Sequence, residues 1–428
     1  MSTGLSLALR PDPAVPQRDI LMDSDVVADR LSSQLGINGA LAIESCRRDS
    51  VSYRVGRRLR VGYRVRIAGR DHHVAASTFR SRTRSERAYR SATATAPSAG
   101  PLRTAVHDAD LNTVFWIFPN DRRIGNLSAI ANAAPELTRY LDFRWTTSHV
   151  VDYYPEASAV VRCLDESNEV IAYAKVHAGD EGERTHRVQQ ALVRAARGSS
   201  LRLARPIAYS KKHRTLVVEP IVGRAIGSLD GSKMDEGLHA YGAALASLHS
   251  LPLTEMPPGP RSPLDRLHRK ALGLGSVRPD VERQSGELLD QLSAHWADAA
   301  GPPVLVHGDT NVNNAILVDQ RVAFIDFDRA SIGSAGSDIG NFIGLLRYLR
   351  SLDVLSPAAQ SRHEASFMRG YSSVRALSDR SALSLHIAAA LLERSFRAVT
   401  RLRPRALHRV PALLAEATAE LSANGTRR

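Results

Sequence analysis

The residues best suited to chemistry lie in one short segment, residues 304–328, which reads VLVHGDTNVNNAILVDQRVAFIDFD. In it, the carboxylate Asp309 precedes the amide Asn314 by five residues, and a second carboxylate, Asp326, follows a short apolar run. The runs VLV, AILV and VAFI are typical of buried strands, which leaves the polar residues in the loops between them. We therefore predict that three oxygen-bearing side chains converge at the ends of neighbouring strands.

Such a set of side chains suits phosphoryl transfer. Mg²⁺ with bound phosphates requires hard oxygen ligands, of which the protein supplies few while water and phosphate supply the rest. Asp309 could accept a proton from a substrate hydroxyl or orient that hydroxyl. The alternative is a strand–loop–strand segment whose loops are merely polar, as in any α/β protein.

The motif H-G-D-x-x-x-x-N followed by I-D-x-D resembles the catalytic and metal loops of the aminoglycoside phosphotransferase and choline kinase superfamily, whose members resemble protein kinases. The resemblance implies that Asp309 is the catalytic Asp and that His307 supports its loop. It also implies that Asn314 and Asp326 bind Mg²⁺. The superfamily does not require Gly two places after the metal Asp, and Asp328 fits that looser pattern. This agreement in residue type and spacing disfavours the merely polar segment.

Lysine is rare in this chain, which helps to identify a cation for the phosphates. Of 57 Lys and Arg residues only five are Lys, and Lys175 lies in an alternating run of strand character, VIAYAKVH. The resemblance makes Lys175 the phosphate-binding lysine and Glu183, in the next helix-like stretch, the carboxylate that holds it. Glu183 could instead be a helix N-terminal carboxylate favoured by the dipole, and Glu181 could take its role. The alternative for Lys175 is an edge-strand lysine on a solvated face.

The segment RTLVVEPIVGRAI resembles the last N-lobe strand and the hinge of this superfamily. There, backbone groups of Val218, Glu219 and Ile221 would contact the adenine of ATP. The hairpin before Lys175 reads RCLDESNEV and has no Gly-rich loop, which departs from protein kinases but is common in the superfamily. Further along, the resemblance places Asp338 where an acidic residue braces the catalytic loop, although it could also be a plain helix cap.

The first half of the chain resembles a second copy of the kinase N-lobe. Residues 72–90 align with residues 169–187, which sets Glu86 on Glu183 and Thr78 in the place of Lys175. The later segments IGNL and IGSL also correspond. This copy would lack the phosphate lysine and serve a structural or substrate-gating role, and chance similarity between two hairpins is the alternative.

The resemblance and the internal repeat together imply an α+β protein with a protein-kinase-like bilobal fold, preceded by an additional α+β N-terminal domain. The expected N-lobe is a small antiparallel sheet and the expected C-lobe is mostly helical. We expect the following organisation: residues 1–20 disordered, 21–147 the degenerate N-lobe-like repeat, 148–222 the kinase N-lobe, 223–420 the helical C-lobe and 421–428 a disordered tail.

Bulk composition excludes several other classes of protein. The two cysteines give neither a disulfide framework nor a metal-binding spacing, and no apolar run is long enough for a membrane helix. We expect a cytoplasmic protein. The net charge of +13 includes twelve Arg in residues 51–100, but these alternate with apolar residues as on the wet face of a sheet. That pattern favours a solvated strand face over a nucleic-acid site, and we expect neither a nucleic-acid nor a membrane partner.

The resemblance implies an ATP- and Mg²⁺-dependent phosphotransferase whose acceptor is a small-molecule hydroxyl. By analogy an aminoglycoside or related amino sugar is the first choice, for which Asp235, Glu236 or Asp328 could supply carboxylates. The alternatives are a sugar or amino-alcohol kinase of metabolism or natural-product biosynthesis, and a catalytically dead kinase-like binding module.

Overall fold

The structure is a computed structural model, and it describes residues 8–95, 101–139, 144–253, 256, 263–297, 301–377 and 380–425. Along the chain come one antiparallel sheet, a second sheet of the same kind, and then a mainly helical region. The predicted α+β fold class is confirmed.

The N-terminal module is a five-stranded antiparallel sheet with one long helix after its third strand. Its strands alternate apolar and charged residues, as in RLRVGYRVRI, yet most positions of that strand are buried, including Arg60. Its order is β1-β2-β3-β5-β4, with elements α1 (Arg18–Leu21), α2 (Ser24–Ser32), β1 (Ser45–Arg54), β2 (Arg58–Ile67), β3 (Arg70–Thr78), α3 (Arg82–Thr95), β4 (Ala105–Asp108) and β5 (Thr113–Ile117).

The second module, the N-lobe, repeats this plan after two short helices. Its strand order is β6-β7-β8-β11-β10, and its long helix again follows the third strand. Its elements, with the two connecting helices first, are α4 (Leu127–Ala131), α5 (Pro135–Thr138), β6 (Thr147–Tyr154), β7 (Ser158–Leu164), β8 (Val170–His177), α6 (Glu181–Ala195), β9 (Arg202–Leu203), β10 (Pro206–Ser210) and β11 (Thr215–Val218).

The C-lobe is mostly helical and contains two small sheets, β12-β14-β15-β9 and β13-β16. The apolar runs VLV, AILV and VAFI form β13, β14 and β15, as predicted. Its elements are β12 (Arg224–Ala225), α7 (Gly231–His249), α8 (Pro263–Ala271), α9 (Leu274–Val277), α10 (Pro279–His295), β13 (Pro303–Val306), β14 (Ala315–Val318), β15 (Arg321–Phe324), β16 (Ser331–Ser334), α11 (Ala335–Ser351), α12 (Pro357–Ser372), α13 (Arg380–Thr400), α14 (Pro404–Leu407) and α15 (Val410–Gly425).

The two faces of the N-terminal sheet pack against different partners. One face, which includes Val61 and Phe115, shares a hydrophobic core with the C-lobe. The other face, with Val114 and Trp116, shares a core with the inner face of the N-lobe sheet. The modules are therefore joined through apolar burial, the dominant favourable term in folding.

Both predictions of disorder at the chain ends are wrong for the residues that the structure describes. Leu9 and Val15 are buried in the main core, because the segment before α1 packs against the C-lobe. At the other end, α15 extends through residue 425. Residues 1–7 and 426–428 lie outside the described residues.

The arginine-rich strands have two different environments. Arg64 and Arg66 lie on a partly solvated face and pair with Asp49 and with Glu44 and Asp71. Arg58 and Arg60, in contrast, face the N-lobe and pair with the buried Glu156. The prediction of a wet strand face therefore holds for only part of this segment. Within the described residues, no helix combines the length and the apolarity that a membrane span requires.

Candidate active site

The catalytic loop follows β13, and the imidazole of His307 ties it to the metal loop. His307 is fully buried against the rings of Phe324 and Phe327. Its Nε2 bonds the carbonyl oxygen of Ile325 at 3.0 Å, and its Nδ1 accepts from the backbone N–H of Asp309 at 3.3 Å. One side chain therefore sets the distance between the two loops.

Asp338, at the start of α11, holds the backbone of the same loop. Its carboxylate accepts from the N–H groups of His307 at 2.7 Å and of Gly308 at 2.8 Å. It also bonds the buried His249 at 3.1 Å, a residue that no sequence pattern singled out. Burial raises the pKa of Asp338, but the hydrogen bond and charge of His249 outweigh that effect and lower it. The carboxylate stays ionised, as a loop brace requires.

Gly308 is required by the local geometry. Its φ is +76°, and a Cβ at this position would lie 2.3 Å from the carbonyl oxygen of Arg329. The left-handed backbone turns the chain sharply between the buried His307 and the partly exposed Asp309. In the H-G-D sequence, His307 is thus buried, Gly308 turns the chain and Asp309 is presented to the site.

Asn314 and Asp326 lie at the same end of the β14–β15 hairpin. Ala315 pairs with Phe324 in this hairpin, so the residue before one strand lies beside the residues after the other. The Asn314 amide nitrogen donates to the carbonyl oxygen of Asp309 at 3.0 Å, which leaves its side-chain oxygen for another partner. Asp326 has a φ of +61°, a backbone conformation that a non-glycine residue adopts only when its surroundings enforce it.

Lys175 extends from β8, the central strand of its sheet, to two carboxylates of the metal loop. Its Nζ lies 2.8 Å from Asp326 Oδ1 and 2.6 Å from Asp328 Oδ2. Burial alone would lower the pKa of Lys175, but the charges of Asp328 and Asp326 raise it above its ordinary value. The alternative of a solvated edge-strand lysine is therefore excluded by the strand order.

The predicted pairing of Lys175 with Glu183 is wrong. Among the described residues, the ion pairs of Lys175 are with Asp326 and Asp328 only, so the partner comes from the metal loop. Glu183 instead lies near Tyr209, where burial and then the Glu183 charge raise the tyrosine pKa. The cause is rotation about the axis of α6, whose buried face carries Gly182 and Thr185. Glu181 does not replace Glu183, since it is not among the ion-pair partners of Lys175.

The residues that α6 does contribute are the two that follow Glu183. Arg184 donates to the backbone carbonyls of Asp328 at 3.0 Å and Ala330 at 2.6 Å, and Thr185 Oγ1 bonds Asp328 Oδ1 at 3.0 Å. Sequence reasoning missed both, because neither residue type suggests an interaction with a loop some 140 positions away. They fix the metal loop against the N-lobe.

The donors near Lys175 suit a divalent cation. Two carboxylates share one ammonium, so negative charge is in excess, and the half-buried Asp152 of β6 lies near enough to interact with Lys175 and Asp326. Burial raises the pKa of Asp152. In the described part of the chain no three His, Cys, Asp or Glu side chains form a complete metal site. This donor set fits Mg²⁺, which takes one or two protein ligands and completes its shell with phosphates and water.

The hinge residues connect β11 to β12, between the two lobes. Val218 ends β11, and the N–H of Glu219 donates to the carbonyl oxygen of Arg205 at 3.0 Å. The Glu219 carboxylate also binds Arg205, at 2.7 Å from Nε. Glu219 therefore uses its N–H inside the protein, so this group of the predicted hinge is not available to a ligand.

Next to the catalytic loop lies a cavity of about 530 Å³. Gly308 and Arg329 line it, and the guanidinium of Arg329 lies 3.8 Å from the Asp309 carboxylate. Residues of α13 and α8 form other parts of its wall. Asp309 thus lies beside a cavity large enough for a small molecule, on a loop that His307 ties to the metal loop. The sequence did not predict this cavity, since its walls come from distant segments.

One family model matches the segment that carries these residues. The model of a phosphotransferase enzyme family (APH) matches residues 162–377, half of the chain. Among curated proteins, none matches the sequence significantly. Of the solved structures, the aminoglycoside phosphotransferase APH(4)-Ia is 15% identical, with a TM-score of 0.49 over 66% of this chain and 98% of the other. A choline/ethanolamine kinase family protein from Mesorhizobium loti is 15% identical, with a TM-score of 0.47 over 69% of this chain and 92% of the other. The amicoumacin kinase hAmiN is 14% identical, with a TM-score of 0.48 over 68% and 92%.

Proposed function

The chain belongs to the phosphotransferase enzyme family, whose members act on hydroxyl groups of small molecules, and we propose that it transfers the γ-phosphate of ATP to such a hydroxyl. The observation that carries this proposal is the position of Asp309: its neighbours Gly308 and Arg329 line a cavity of about 530 Å³, and His307 ties its loop to the metal loop that pairs with Lys175. Because the cytosol contains ATP, we propose that the protein acts in the cytoplasm.

We assign the nucleotide side of the reaction to three residues. Lys175 binds phosphate oxygens of ATP, and Asp326 and Asn314 hold Mg²⁺, which when bound neutralises charge on the phosphates. Lys175 already carries its full charge, because two carboxylates raise its pKa. The hinge from Val218 to Ile221 would bind adenine through its backbone.

Asp309 serves the acceptor. The oxygen of the acceptor hydroxyl attacks the γ-phosphorus in line, and the bond from that phosphorus to the β–γ bridging oxygen breaks, leaving ADP. The hydroxyl proton goes to the Asp309 carboxylate. The loop contacts of His307 and Asp338 hold Asp309 in place, so positioning supplies most of the rate.

The identity of the acceptor stays a prediction. An aminoglycoside or amino sugar was expected to use Asp235, Glu236 or Asp328. Asp235 is bound by His363 at 2.7 Å, and Asp328 is held by Lys175 and Thr185. None of these three carboxylates lines the cavity. They therefore do not favour an amino sugar over a sugar or an amino alcohol as the acceptor.

A catalytically dead binding module is the alternative from another class. It is disfavoured because the residues needed for transfer are all present and lie around one site. A dead site also has no reason to keep Lys175 within 2.8 Å of two carboxylates, since a buried ion pair is seldom a source of stability.

The test is product formation with a panel of aminoglycosides, amino sugars, neutral sugars, sugar acids and amino alcohols. Purified protein is incubated with ATP and Mg²⁺, ADP is measured, and phosphorylated acceptor is sought by mass spectrometry, with a chelator control. We expect turnover with one acceptor class and none after chelation. Failure to bind ATP in the presence of Mg²⁺ would support the dead module instead.

A further inference from the structure

The cavity beside Asp309 is lined by residues whose charges are unevenly distributed. Three arginines line it: Arg266 of α8, Arg329 of the metal loop and Arg397 of α13. Among the described residues, its lining contains only two carboxylates, Asp338 and Glu393. Apolar side chains such as Leu267, Trp296 and Ile332 complete the wall, to which a carbon skeleton could pack.

Neither carboxylate of the lining is available to a ligand. Asp338 is fully buried and accepts hydrogen bonds from the catalytic loop. Glu393 lies 2.7 Å from the Lys270 ammonium and 4.0 Å from Arg266. Burial raises the pKa of Glu393, but the charge of Lys270 outweighs this and lowers it to about 2. Glu393 is therefore an ion already neutralised by the protein.

The arginines of the cavity lining, in contrast, outnumber the carboxylates that could pair with them. Arg397 has neither an ion pair nor a side-chain hydrogen bond among the described residues, and Arg329 has only the 3.8 Å contact with Asp309. Arg401 lies close by; burial lowers its pKa, and the charges of Arg397, Arg403 and Arg329 lower it further. Like charges destabilise one another in a partly buried site unless an anion lies between them.

We propose that the acceptor is an anionic hydroxyl compound, whose carboxylate, sulfate or phosphate group binds Arg397 and Arg329 while its hydroxyl lies at Asp309. This inference rests on the proposed function and narrows its substrate class. Guanidinium groups suit it because their planar donors match two oxygens of one anionic group. A polycationic aminoglycoside would place its ammonium groups against the same arginines and would be repelled.

Binding is measured first, with the nucleotide site saturated by AMP-PNP and Mg²⁺ so that anions cannot bind there. The probes are glucuronate, gluconate 6-phosphate and citrate, with glucose, glucosamine and kanamycin as neutral and cationic partners. Titration calorimetry gives the affinities for the wild type, Arg397→Met, Arg397→Glu and the control Arg283→Met. Arg283 is an exposed arginine of α10 that is not among the residues lining the cavity.

We expect the anionic probes to bind in preference to glucose and glucosamine. Arg397→Met should weaken them about 10- to 100-fold, the loss of a hydrogen bond between charged groups, and Arg283→Met should leave them unchanged. Arg397→Glu should reverse the preference towards glucosamine and kanamycin. It should also fold, since it reduces repulsion from Arg329 and Arg401. Comparing glucuronate with gluconate 6-phosphate tells whether a carboxylate or a phosphate is preferred.

Equal or tighter binding of glucosamine or kanamycin by the wild type would overturn the inference. So would failure of all three anions to bind, or anion binding that Arg397→Glu does not change. Transfer of phosphate to a cationic acceptor would refute the anionic class while leaving the proposed function intact. If the wild type does not bind AMP-PNP, the proposed function is refuted instead. The affinities of the Arg397 variants for the anionic probes would still test the charge preference of the cavity.

Discussion

At the scale of single residues, the most consequential finding is that Lys175 is shared by Asp326 and Asp328. The same ammonium holds both carboxylates of the I-D-x-D motif, at 2.8 and 2.6 Å. Thr185 fixes the second oxygen of Asp328, so this Asp cannot turn away from the lysine. Among the described residues Asp326 has no such second anchor, and it is 38% exposed. We therefore expect Asp326 to leave Lys175 and bind a metal, while Asp328 stays paired with Lys175.

Replacing Lys175 tests this division of labour. Lys175→Met should lower kcat/KM for ATP on the order of 10²-fold, as when one preorganised electrostatic group is removed from a transition state. It should also destabilise the fold, because the partly exposed carboxylate of Asp328 loses its ionic partner. Steady-state kinetics and urea unfolding measure the two effects, with Lys233→Met, at an exposed position of α7, as the matched control. If a Lys175 variant has unchanged kinetics for ATP, another residue must bind the phosphates.

Where the determinants are local, the sequence predicted correctly where the loops lie relative to the strands, while the roles of the loop residues stay predictions. Asp309, Asn314 and Asp326 each follow or precede a short apolar strand, and this arrangement is readable within 25 residues. Glu183 was predicted wrongly because the rotation of a helix about its axis depends on packing, which the sequence around it does not reveal. Arg397 was missed for a similar reason, since only the tertiary fold brings α13 to the catalytic loop.

At the scale of elements, the tip of the β6–β7 hairpin is anchored on the N-terminal module. Glu156 at this tip is 3% exposed and accepts a hydrogen bond from Ser77 at 2.7 Å. Arg58 and Arg60 approach its other oxygen at 3.7 and 3.6 Å, and Arg60 also donates to the carbonyl of Pro155. Burial lowers the pKa of Arg60 to about 10, so it remains charged at neutral pH. The N-terminal module therefore restrains the hairpin that precedes Lys175.

We predict that Glu156→Gln destabilises the protein by about 1–3 kcal/mol, the cost of leaving buried polar partners unsatisfied. Urea unfolding followed by circular dichroism measures this. The matched control is Glu166→Gln in the same module, which breaks an exposed pair with Arg144 and should change stability by at most about 1 kcal/mol. Equal effects of the two variants would show that the anchor contributes nothing.

The two sheets share details that support the predicted repeat. In the first module, Asp12 accepts from the hydroxyl of Tyr53 and the N–H of Gly56 at the hairpin turn. In the second, Asp121 accepts from the hydroxyl of Tyr153 and the N–H of Glu156. The strand order is also the same. We propose that the modules derive from one ancestral unit.

The alignment of the repeat was wrong by one residue. Counting along the paired strands from Tyr53 and Tyr153, the residue opposite Arg60 is Ser77 and the residue opposite Val160 is Lys175. Ser77, rather than Thr78, thus occupies the place of the lysine. The error arose because identical residues in the following helices, such as Glu86 and Glu183, fixed the alignment instead of the register of the strands. The absence of a lysine from that place is unaffected.

At the scale of the whole molecule, the modules share their cores. The main core joins residues of the N-terminal sheet, such as Tyr63, to C-lobe residues such as Phe342. Hydrogen bonds cross the same boundary, from Arg10 to Val277 and from Arg401 to Val51. We therefore expect that the modules are not independent in stability, while the domain limits predicted from sequence stay a prediction. Sequence patterns show which face of a strand is buried but not which module covers it.

We therefore predict a single cooperative unfolding transition for all three modules. Calorimetric and van't Hoff enthalpies should agree, although many proteins of several domains fail this test. AMP-PNP with Mg²⁺ at 100 times its Kd should stabilise the whole transition by about 2.7 kcal/mol. A separate transition for the N-terminal module, unmoved by nucleotide, would contradict this prediction.

The central claim is that Asp309 receives the proton of an acceptor hydroxyl in a working phosphotransferase. Its most direct test compares the wild type with Asp309→Asn in Mg²⁺-dependent ADP release with the best acceptor of the panel, together with ATP affinity by calorimetry. The account predicts a fall in kcat of about 10²- to 10⁴-fold, with ATP binding changed no more than a few-fold because Lys175, Asn314 and Asp326 are intact. A variant that keeps most of its turnover would contradict the role of Asp309, and with it the assignment of this site.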